Sequence, residues 1–350
     1  MNEYMRRCED AMLLAQSDGC SVYQFRNETG EGTITVYDVY PGVMLSFNDF
    51  HMKYYDSVFV PASSLFSVDH CREGRMECPA GEDLYSYVEA GDLKLDRRLS
   101  HKGRFEMPLK HYHGVTVTFD LSRAPKSLQE SMPDFDCNLH ALQEKFCAGI
   151  YPVVLHGDRS IEHVFAELYS VPLKIRKNYF KIKIMELLLY LDALEIPKSD
   201  IDRPYFYRNH IEKVKAIHDF LAEHMDENHT QEELSARFDI PLTSMKQCFK
   251  SVYGSTIAAW LLKYRMNHAA VLLKCHREIS IAEIAGRVGY DSPSKFAISF
   301  RKVMGMSPTE YRGKPRDKEV LINEGGKYLL TIQNIMLYYK TVLREIFTLY

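Results

Sequence analysis

The sequence predicts an α+β fold in which an antiparallel β barrel or sandwich is followed by helices and an all-α C-terminal domain. Residues 21–121 contain several short runs rich in β-branched and aromatic residues, separated by turn clusters, as is typical of antiparallel strands. Over residues 160–169 and 172–194, apolar residues recur at helical spacing. Finally, the segment 249–254 (FKSVYG) returns at 300–305 (FRKVMG), and 233–238 (ELSARF) returns at 283–288 (EIAGRV), so a pair of short helices occurs twice.

Changes of composition divide the 350 residues into four expected segments. A β-rich domain is expected over 1–158. A helical linker and dimerisation region is expected over 159–204, and it includes one long helix over 172–194. The duplicated helices occupy 205–313. The tail over 314–350 begins polar and ends in an apolar run with the pattern of an amphipathic helix.

Charge and cysteine usage limit the class of protein. The formal net charge is −3, but residues 205–313 carry +3 and the remainder −6, so the excess positive charge lies on the repeat, where phosphate binding would require it. Eight cysteines are scattered without a C-x-x-C pair, which predicts buried thiols in a reducing compartment. Residues 1–20 are expected to form a short helix or arm, and they lack the apolar core of an export signal. We therefore expect a cytoplasmic protein with no membrane partner.

The first copy of the repeat has the signals of a helix-turn-helix. Thr230 is placed to cap a helix over 231–238, with Glu233 at the position that completes a capping box. A turn containing Pro241 leads to a second helix over 242–253. The apolar residues that share its inward face are Met245, Phe249 and Val252. Its outward face holds side chains able to hydrogen-bond base edges or phosphates, and these candidate DNA-binding residues are Thr243, Lys246, Gln247 and Lys250.

The second copy repeats this plan. Ser280 caps a helix over 281–288, and Ser292 caps another in which Pro293 occupies the first position, where its missing N–H costs nothing. Ile298 is apolar on the outward face, so it is either a contact for a thymine methyl group or a stray exposed residue. The inward residues are Phe296, Phe300 and Val303. The candidate DNA-binding residues are Ser292, Ser294, Lys295, Ile298, Ser299 and Lys302.

One continuous helix is expected between the two copies, over 256–273. Such a helix would measure ~27 Å at ~1.5 Å per residue, close to the ~34 Å between successive major-groove segments on one side of a duplex. We therefore expect one chain to hold two reading helices against adjacent turns of double-stranded DNA.

Residues 207–313 resemble the C-terminal domain of the AraC/XylS family of bacterial transcription regulators. The matching segments include 265–269 (RMNHA), 281–285 (IAEIA), 288–290 (VGY), 300–302 (FRK) and 305–308 (GMSP). The resemblance implies a cupin-like N-terminal sensor barrel and ligand-responsive activation of transcription. It also implies promoter DNA, RNA polymerase and a second copy of the chain as partners. The segment 180–191 is similar to the helix that joins sensor to reader in this family. The helix over 172–194 has enough apolar surface to pair with a second copy of itself in a dimer; the alternative is that it packs only on its own barrel.

A small-molecule effector is expected inside the N-terminal barrel, because aromatic side chains that face its lumen would line a pocket. The candidate pocket residues are Tyr23, Phe25, Tyr37 and Phe47.

Three other functions fit parts of the sequence. A metal-dependent cupin enzyme would need metal ligands; His111 and His113 have the spacing of two ligands on a strand, but no Glu follows within the next several residues. A methyl-accepting DNA repair regulator would need a zinc-bound cysteine cluster, whereas the N-terminal cysteines are widely spread. A purely architectural DNA binder would leave the first 204 residues without a role. The sequence thus predicts a regulator that is not an enzyme and has no cofactor and no metal.

Overall fold

The computed structural model describes residues 11–17, 19–157, 159–195 and 204–314 of the chain. The predicted tail helix, and the segment that joins the linker helix to the repeat, lie outside these residues. The chain divides into two compact units at residues 208 and 209. We refer to them as the N-terminal unit, which is β-rich, and the C-terminal unit, which is helical.

The described strands belong to the N-terminal unit, and each pairing between them is antiparallel. They are β1 (Ala11–Ser17), β2 (Cys20–Asn27), β3 (Gly30–Tyr40), β4 (Val43–His51), β5 (Tyr54–Phe59), β6 (Leu65–Gly81), β7 (Leu84–Glu89), β8 (Asp92–Asp96), β9 (His101–Glu106), β10 (Tyr112–Asp120), β11 (Val153–His156) and β12 (Phe206–Tyr207). Over residues 11–17, β1 corrects the helix or arm expected over 1–20, while residues 1–10 lie outside the described residues. This strand pairs with β2 at the edge of the sheet, so the backbone groups that face β2 make strand hydrogen bonds in place of helical ones.

The strands form one large sheet and one small sheet. The large sheet has the order β1-β2-β3-β4-β10-β6-β7-β12, with β8 paired to both β6 and β11, while β5 and β9 form a separate two-stranded sheet. An antiparallel β-rich region followed by helices is therefore confirmed. Among the described strands the pairings follow an open path, and none of them closes the predicted barrel.

Helices cover one face of the large sheet and the small sheet covers the other. The helices of this unit are α1 (Ala124–Ser131), α2 (Leu139–Phe146), α3 (Arg159–Leu168) and α4 (Leu173–Ala193). Alternate residues of β10, among them Val115 and Val117, belong to the same buried core as Phe180 of α4. On the opposite face Phe50 stacks on Tyr55 of the small sheet, with ring centroids 4.8 Å apart. The bounds of α4 confirm the long helix predicted before the repeat.

The C-terminal unit confirms the predicted duplication and the helix between its copies. Its helices are α5 (Arg208–Glu223), α6 (Gln231–Arg237), α7 (Leu242–Tyr253), α8 (Ile257–Cys275), α9 (Ile281–Arg287), α10 (Pro293–Met304) and α11 (Pro308–Gly313). The predicted inward residues Met245, Phe249, Val252, Phe296 and Phe300 are buried, and Val303 is half-buried. Within the described residues, no helix combines the length and apolarity needed to span a bilayer.

Candidate nucleic-acid interface

The two helix-turn-helix copies have the same dimensions, with seven residues in α6 and α9 and twelve in α7 and α10. The Thr230 hydroxyl caps α6 by accepting a hydrogen bond from the Glu233 N–H, and the Glu233 carboxylate accepts one from the Thr230 N–H. That backbone hydrogen bond lowers the pKa of Glu233. Ser280 caps α9 through the Glu283 N–H, but the Glu283 carboxylate accepts from Arg287 at 2.8 Å. The capping box is therefore complete only in the first copy.

Each turn between helices has one residue in the left-handed region, at equivalent positions of the repeat. Asp239 has φ 48° and Gly289 has φ 79°. An Asp tolerates this conformation better than most residues, and here Lys213 Nζ lies 3.0 Å from Asp239 Oδ2. A Cβ on Gly289 would lie 2.8–2.9 Å from guanidinium atoms of Arg265. Close approach, as well as backbone conformation, therefore requires glycine in the second copy.

The ten candidate DNA-binding residues lie on α7, on α10 and at the N-cap of α10. Those exposed to solvent are Thr243, Lys246, Gln247, Lys250, Ser294, Lys295, Ile298 and Lys302, while Ser292 and Ser299 are half-buried. Ser292 also has a structural role, because its hydroxyl accepts a hydrogen bond from the Lys295 N–H. Ile298 is 71% exposed. A face of this kind is available to an external partner.

Charge distinguishes α7 and α10 from the first helix of each copy. Neither helix contains an acidic residue, whereas α6 and α9 both do. Within the described residues, the ammonium groups of Lys246, Lys250, Lys295 and Lys302 make no ion pair. Arg301 differs, because its guanidinium lies 3.6 Å from the carboxylate of Glu310. A lysine that makes no ion pair within the protein can neutralise a DNA phosphate without first breaking an existing contact.

Arg265 of α8 connects the two copies. Its guanidinium donates hydrogen bonds to the carbonyl oxygens of Met225 and Glu227, both at 2.6 Å, and to Asn228 Oδ1 at 3.2 Å. These acceptors belong to the loop before α6. The side chain is buried, which lowers its pKa, and it abuts Gly289 in the turn of the second copy. One buried cation thus fixes the first copy relative to the second.

The N-terminal unit contains a cavity of about 130 Å³ between its two sheets. Phe25, a predicted pocket residue, lines it, and Tyr23 is buried in the same apolar cluster as Phe25. Tyr37 and Phe47 lie on the opposite face of the large sheet, where their rings are 5.1 and 5.9 Å from the ring of Phe180. This corrects the expectation that the four rings share one lumen, because side chains alternate between the two faces along a strand.

Charged side chains that pair with one another line one end of this cavity, which we call the charged end. Lys94 Nζ lies 3.1 Å from carboxylate oxygens of both Asp69 and Asp96, and Arg98 donates a hydrogen bond to Asp69 Oδ1 at 2.7 Å. Burial alone would lower the pKa of Lys94, but the two carboxylates outweigh it and raise the pKa. Two cations and two anions thus leave the charged end formally neutral.

Sequence comparisons connect the C-terminal unit with known regulators. The helix-turn-helix domain family matches residues 234–314. Over 103 residues the chain is 32% identical to the HTH-type transcriptional regulator ExsA of Pseudomonas aeruginosa, covering 29% of this chain and 36% of ExsA. Over 97 residues it is 34% identical to the virulence regulon transcriptional activator VirF of Yersinia enterocolitica, covering 26% of this chain and 35% of VirF. Residues 234–314 therefore match a helix-turn-helix domain of the AraC type.

Among solved structures, the chain is similar to the DNA-binding domain of AdpA, a global transcriptional factor, in complex with a target DNA. The identity is 32% with a TM-score of 0.27, and the match covers 29% of this chain and 89% of that one. The chain spans only about a third of the length of ExsA and VirF.

Two features escaped the sequence analysis. Arg265 belongs to the segment that resembles AraC-type domains, but its part in joining the copies depends on contacts distant in the chain. The other is a cluster of possible metal ligands formed by Asp49, His51 and His113, for which the pattern Asp49-x-His51 on a strand is the signal in the sequence. In the sequence, His113 lies at ligand spacing from His111 alone, and Asp49 and His51 are about sixty residues away.

Proposed function

We propose that this chain binds promoter DNA through α7 and α10 in successive segments of the major groove, and activates transcription in response to a small molecule. The observation that carries the DNA-binding part is the pair of equal helices without acidic residues, each with two exposed lysines that make no ion pair with any described residue. Cations and hydrogen-bonding side chains on one helix suit phosphate contact together with base reading. VirF is named as a transcriptional activator, which supports an activating role, and RNA polymerase is the protein partner that we propose.

Lys246→Ala and Lys295→Ala are each expected to weaken binding to the specific site, because each removes an exposed cation from one reading helix. Loss of a base contact costs about 1–3 kcal/mol on the specific site and less on random DNA. Loss of a phosphate contact weakens both equally and lowers the slope of log affinity against log salt by about 1. Fluorescence anisotropy with a duplex selected from a random-sequence pool measures both quantities.

The matched control is Lys126→Ala, which removes the same charge from α1 in the N-terminal unit. Lys126 is exposed, and its ion pair with Glu130 spans 3.8 Å, so its loss should leave both affinity and folding unchanged. Unchanged affinity in both reading-helix variants would show that α7 and α10 do not contact DNA. An equal loss in the control would point to a general charge effect.

We further propose the cavity of the N-terminal unit as the effector site. Its volume is close to the ~150 Å³ of an engineered cavity that binds benzene, so it suits a molecule of about that size. Aromatic side chains form much of its wall, namely Phe25, Phe50, Tyr55 and Phe105. Asn48 and Thr116 lie beside the charged side chains, where Asn48 donates a hydrogen bond to Thr116 and Thr116 donates one to Asp69, so a polar group of the effector would meet polar side chains there. The effector class is therefore a small, uncharged, mostly apolar molecule with one polar group.

Thermal unfolding of the full chain with small alcohols and their carboxylate counterparts tests this class. An alcohol that binds is expected to stabilise the chain, by about 2.7 kcal/mol at a hundred times its dissociation constant. The carboxylate counterpart should not stabilise the chain, because the two cations at the cavity end are already paired with two carboxylates and leave no net positive charge to bind a third. Stabilisation by the carboxylates alone would contradict the proposed class.

The outer face of α4 supports the proposal of a homodimer. Its inner residues, such as Phe180 and Leu188, are buried in the core of the same chain. On the outer face Ile175, Ile182 and Leu189 are 48%, 64% and 54% exposed. Their seven-residue spacing places them on one side of the helix, the arrangement by which a helix pairs with a second copy of itself.

Ile182→Asp is therefore expected to convert the dimer to a monomer, because the pairing face would bury a carboxylate without a partner. Size-exclusion chromatography with light scattering measures the mass of the full chain. Ile150→Asp provides a control at an exposed isoleucine outside the helices, 70% exposed, and it should remain dimeric. A dimer that survives Ile182→Asp would exclude this face as the interface.

A further inference from the structure

Asp49, His51 and His113 form a cluster on the face of the large sheet that carries the helices. Asp49 and His51 are two residues apart on β4, so they point to the same face. His113 on β10 lies directly opposite Asp49 in the antiparallel register. The adjacent residues Asn48 and Tyr112 point the other way and line the cavity. The cluster is therefore separate from the proposed effector site.

The three side chains bring their ligand atoms together. Asp49 Oδ1 lies 2.9 Å from His51 Nε2 and 3.0 Å from His113 Nε2, and the two Nε2 atoms are 3.2 Å apart. Donor atoms of a tetrahedral zinc ion at ~2.0–2.1 Å are ~3.3–3.4 Å from one another. The triangle is slightly smaller than this. Since all three side chains are partly exposed, they can move outward by the few tenths of an ångström required.

Hydrogen bonding leaves this group incompletely satisfied. Asp49 Oδ1 is buried and makes no well-aligned hydrogen bond, although two ring nitrogens lie within 3.0 Å of it. Only one of the two Nε2 atoms can carry the proton between them, so the other presents a lone pair. A cation at the centre would accept lone pairs from all three atoms.

Glu73 supplies the partner that a metal-binding histidine commonly has. On the side away from β4, His113 pairs with Glu73 of β6 in the sheet register. His113 Nδ1 lies 3.9 Å from Glu73 Oε2. Metal-bound histidines direct their second ring nitrogen to a carboxylate, which fixes the tautomer and leaves the first nitrogen for the metal. Nε2 of His113 therefore faces the cluster, while Nδ1 faces Glu73.

We propose that Asp49, His51 and His113 bind a divalent transition-metal ion of the Zn²⁺ class, with a fourth position open to water. Two imidazoles and one carboxylate occur in zinc sites and in Fe²⁺ sites, whereas Mg²⁺ and Ca²⁺ prefer oxygen ligands alone. His111 lies outside the triangle, because its Nδ1 contacts the Leu109 carbonyl at 3.2 Å. The site therefore uses a histidine from the neighbouring strand in place of the one at i−2.

Titration of the full chain, without an affinity tag and after treatment with a chelator, tests the site with Zn²⁺ alone. Calorimetry is expected to show one ion per chain. His51→Ala and His113→Ala should each weaken binding by more than the ~10–100-fold that loss of an outer partner costs. Asp49→Asn keeps the size of the side chain and should also weaken binding. His111→Ala is the matched control and should bind as the parent does.

Co²⁺ provides a measurement that does not depend on how the variants fold. The intact parent should give the intense visible absorption of a four-coordinate cobalt site, and Zn²⁺ should displace it. Fe²⁺ binding in the absence of oxygen, with the same dependence on the three residues, would support the site and change the ion. Absence of both Zn²⁺ binding and the cobalt spectrum in the parent would overturn the proposal. So would equal loss in His111→Ala and His113→Ala.

Discussion

Replacing Phe300 by alanine is expected to lower the free energy of unfolding of the C-terminal unit by about 3–5 kcal/mol. Phe300 is fully buried, and its ring lies 5.6 Å from that of Phe296 and 5.5 Å from that of Tyr311. Removing it opens a cavity at the centre of the second copy. Urea unfolding of the full chain, followed by Trp260 fluorescence, measures the effect. Trp260 is the single tryptophan of the chain and lies on α8, so it reports on this unit.

Ile298→Ala is the control, because it removes an aliphatic side chain from the same helix at a site that is 71% exposed. Its effect on stability should stay within about 0.5 kcal/mol. On DNA, the control is expected to reduce preference for thymine at one position if Ile298 contacts a methyl group. Equal destabilisation by the two substitutions would contradict the assignment of inner and outer faces on α10.

Replacing Arg265 by methionine is expected to cost about 2–4 kcal/mol and to impair specific DNA binding more than non-specific binding. Methionine keeps the aliphatic packing but removes every donor to Met225, Glu227 and Asn228. The loop before α6 would lose its attachment to α8, so the two copies would no longer keep a fixed register. Trp260 fluorescence measures the stability, and anisotropy on specific and random duplexes measures the binding.

Arg265→Lys separates charge from geometry. Lysine keeps the charge but cannot reach the acceptors with a planar fork, so stability should fall between those of the parent and Arg265→Met. Parent-like stability in both variants would mean that water replaces the guanidinium at the loop carbonyls. In that case Arg265 would not fix the two copies.

The C-terminal unit was predictable because its signals are local. Thr230, Ser280 and Ser292 cap helices where the sequence places them, and Pro293 occupies the first position of α10. The bounds of α7 agree with the predicted 242–253 residue for residue. Capping, proline placement and apolar spacing each act within one turn of helix, so a single sequence shows them.

The N-terminal unit was predictable in class but not in register. Strand composition indicated antiparallel strands, yet the faces of Tyr37 and Phe47 depend on which residues they oppose across the sheet. A shift of one residue moves a side chain to the other face. The same reason hid the proximity of His113 to Asp49, which are far apart in sequence and opposite in the register.

The nineteen-residue α8 has a consequence for the target as well as for the protein. Because α8 is one continuous helix, α7 and α10 keep a fixed position relative to each other. They therefore cannot adjust when the second half-site is rotated about the DNA axis relative to the first. Inserting about five base pairs would rotate the second half-site to the far side of the duplex, since one turn takes about 10–10.5 base pairs. If the proposed function holds, the target sites should therefore vary in the sequence between half-sites but hardly at all in its length.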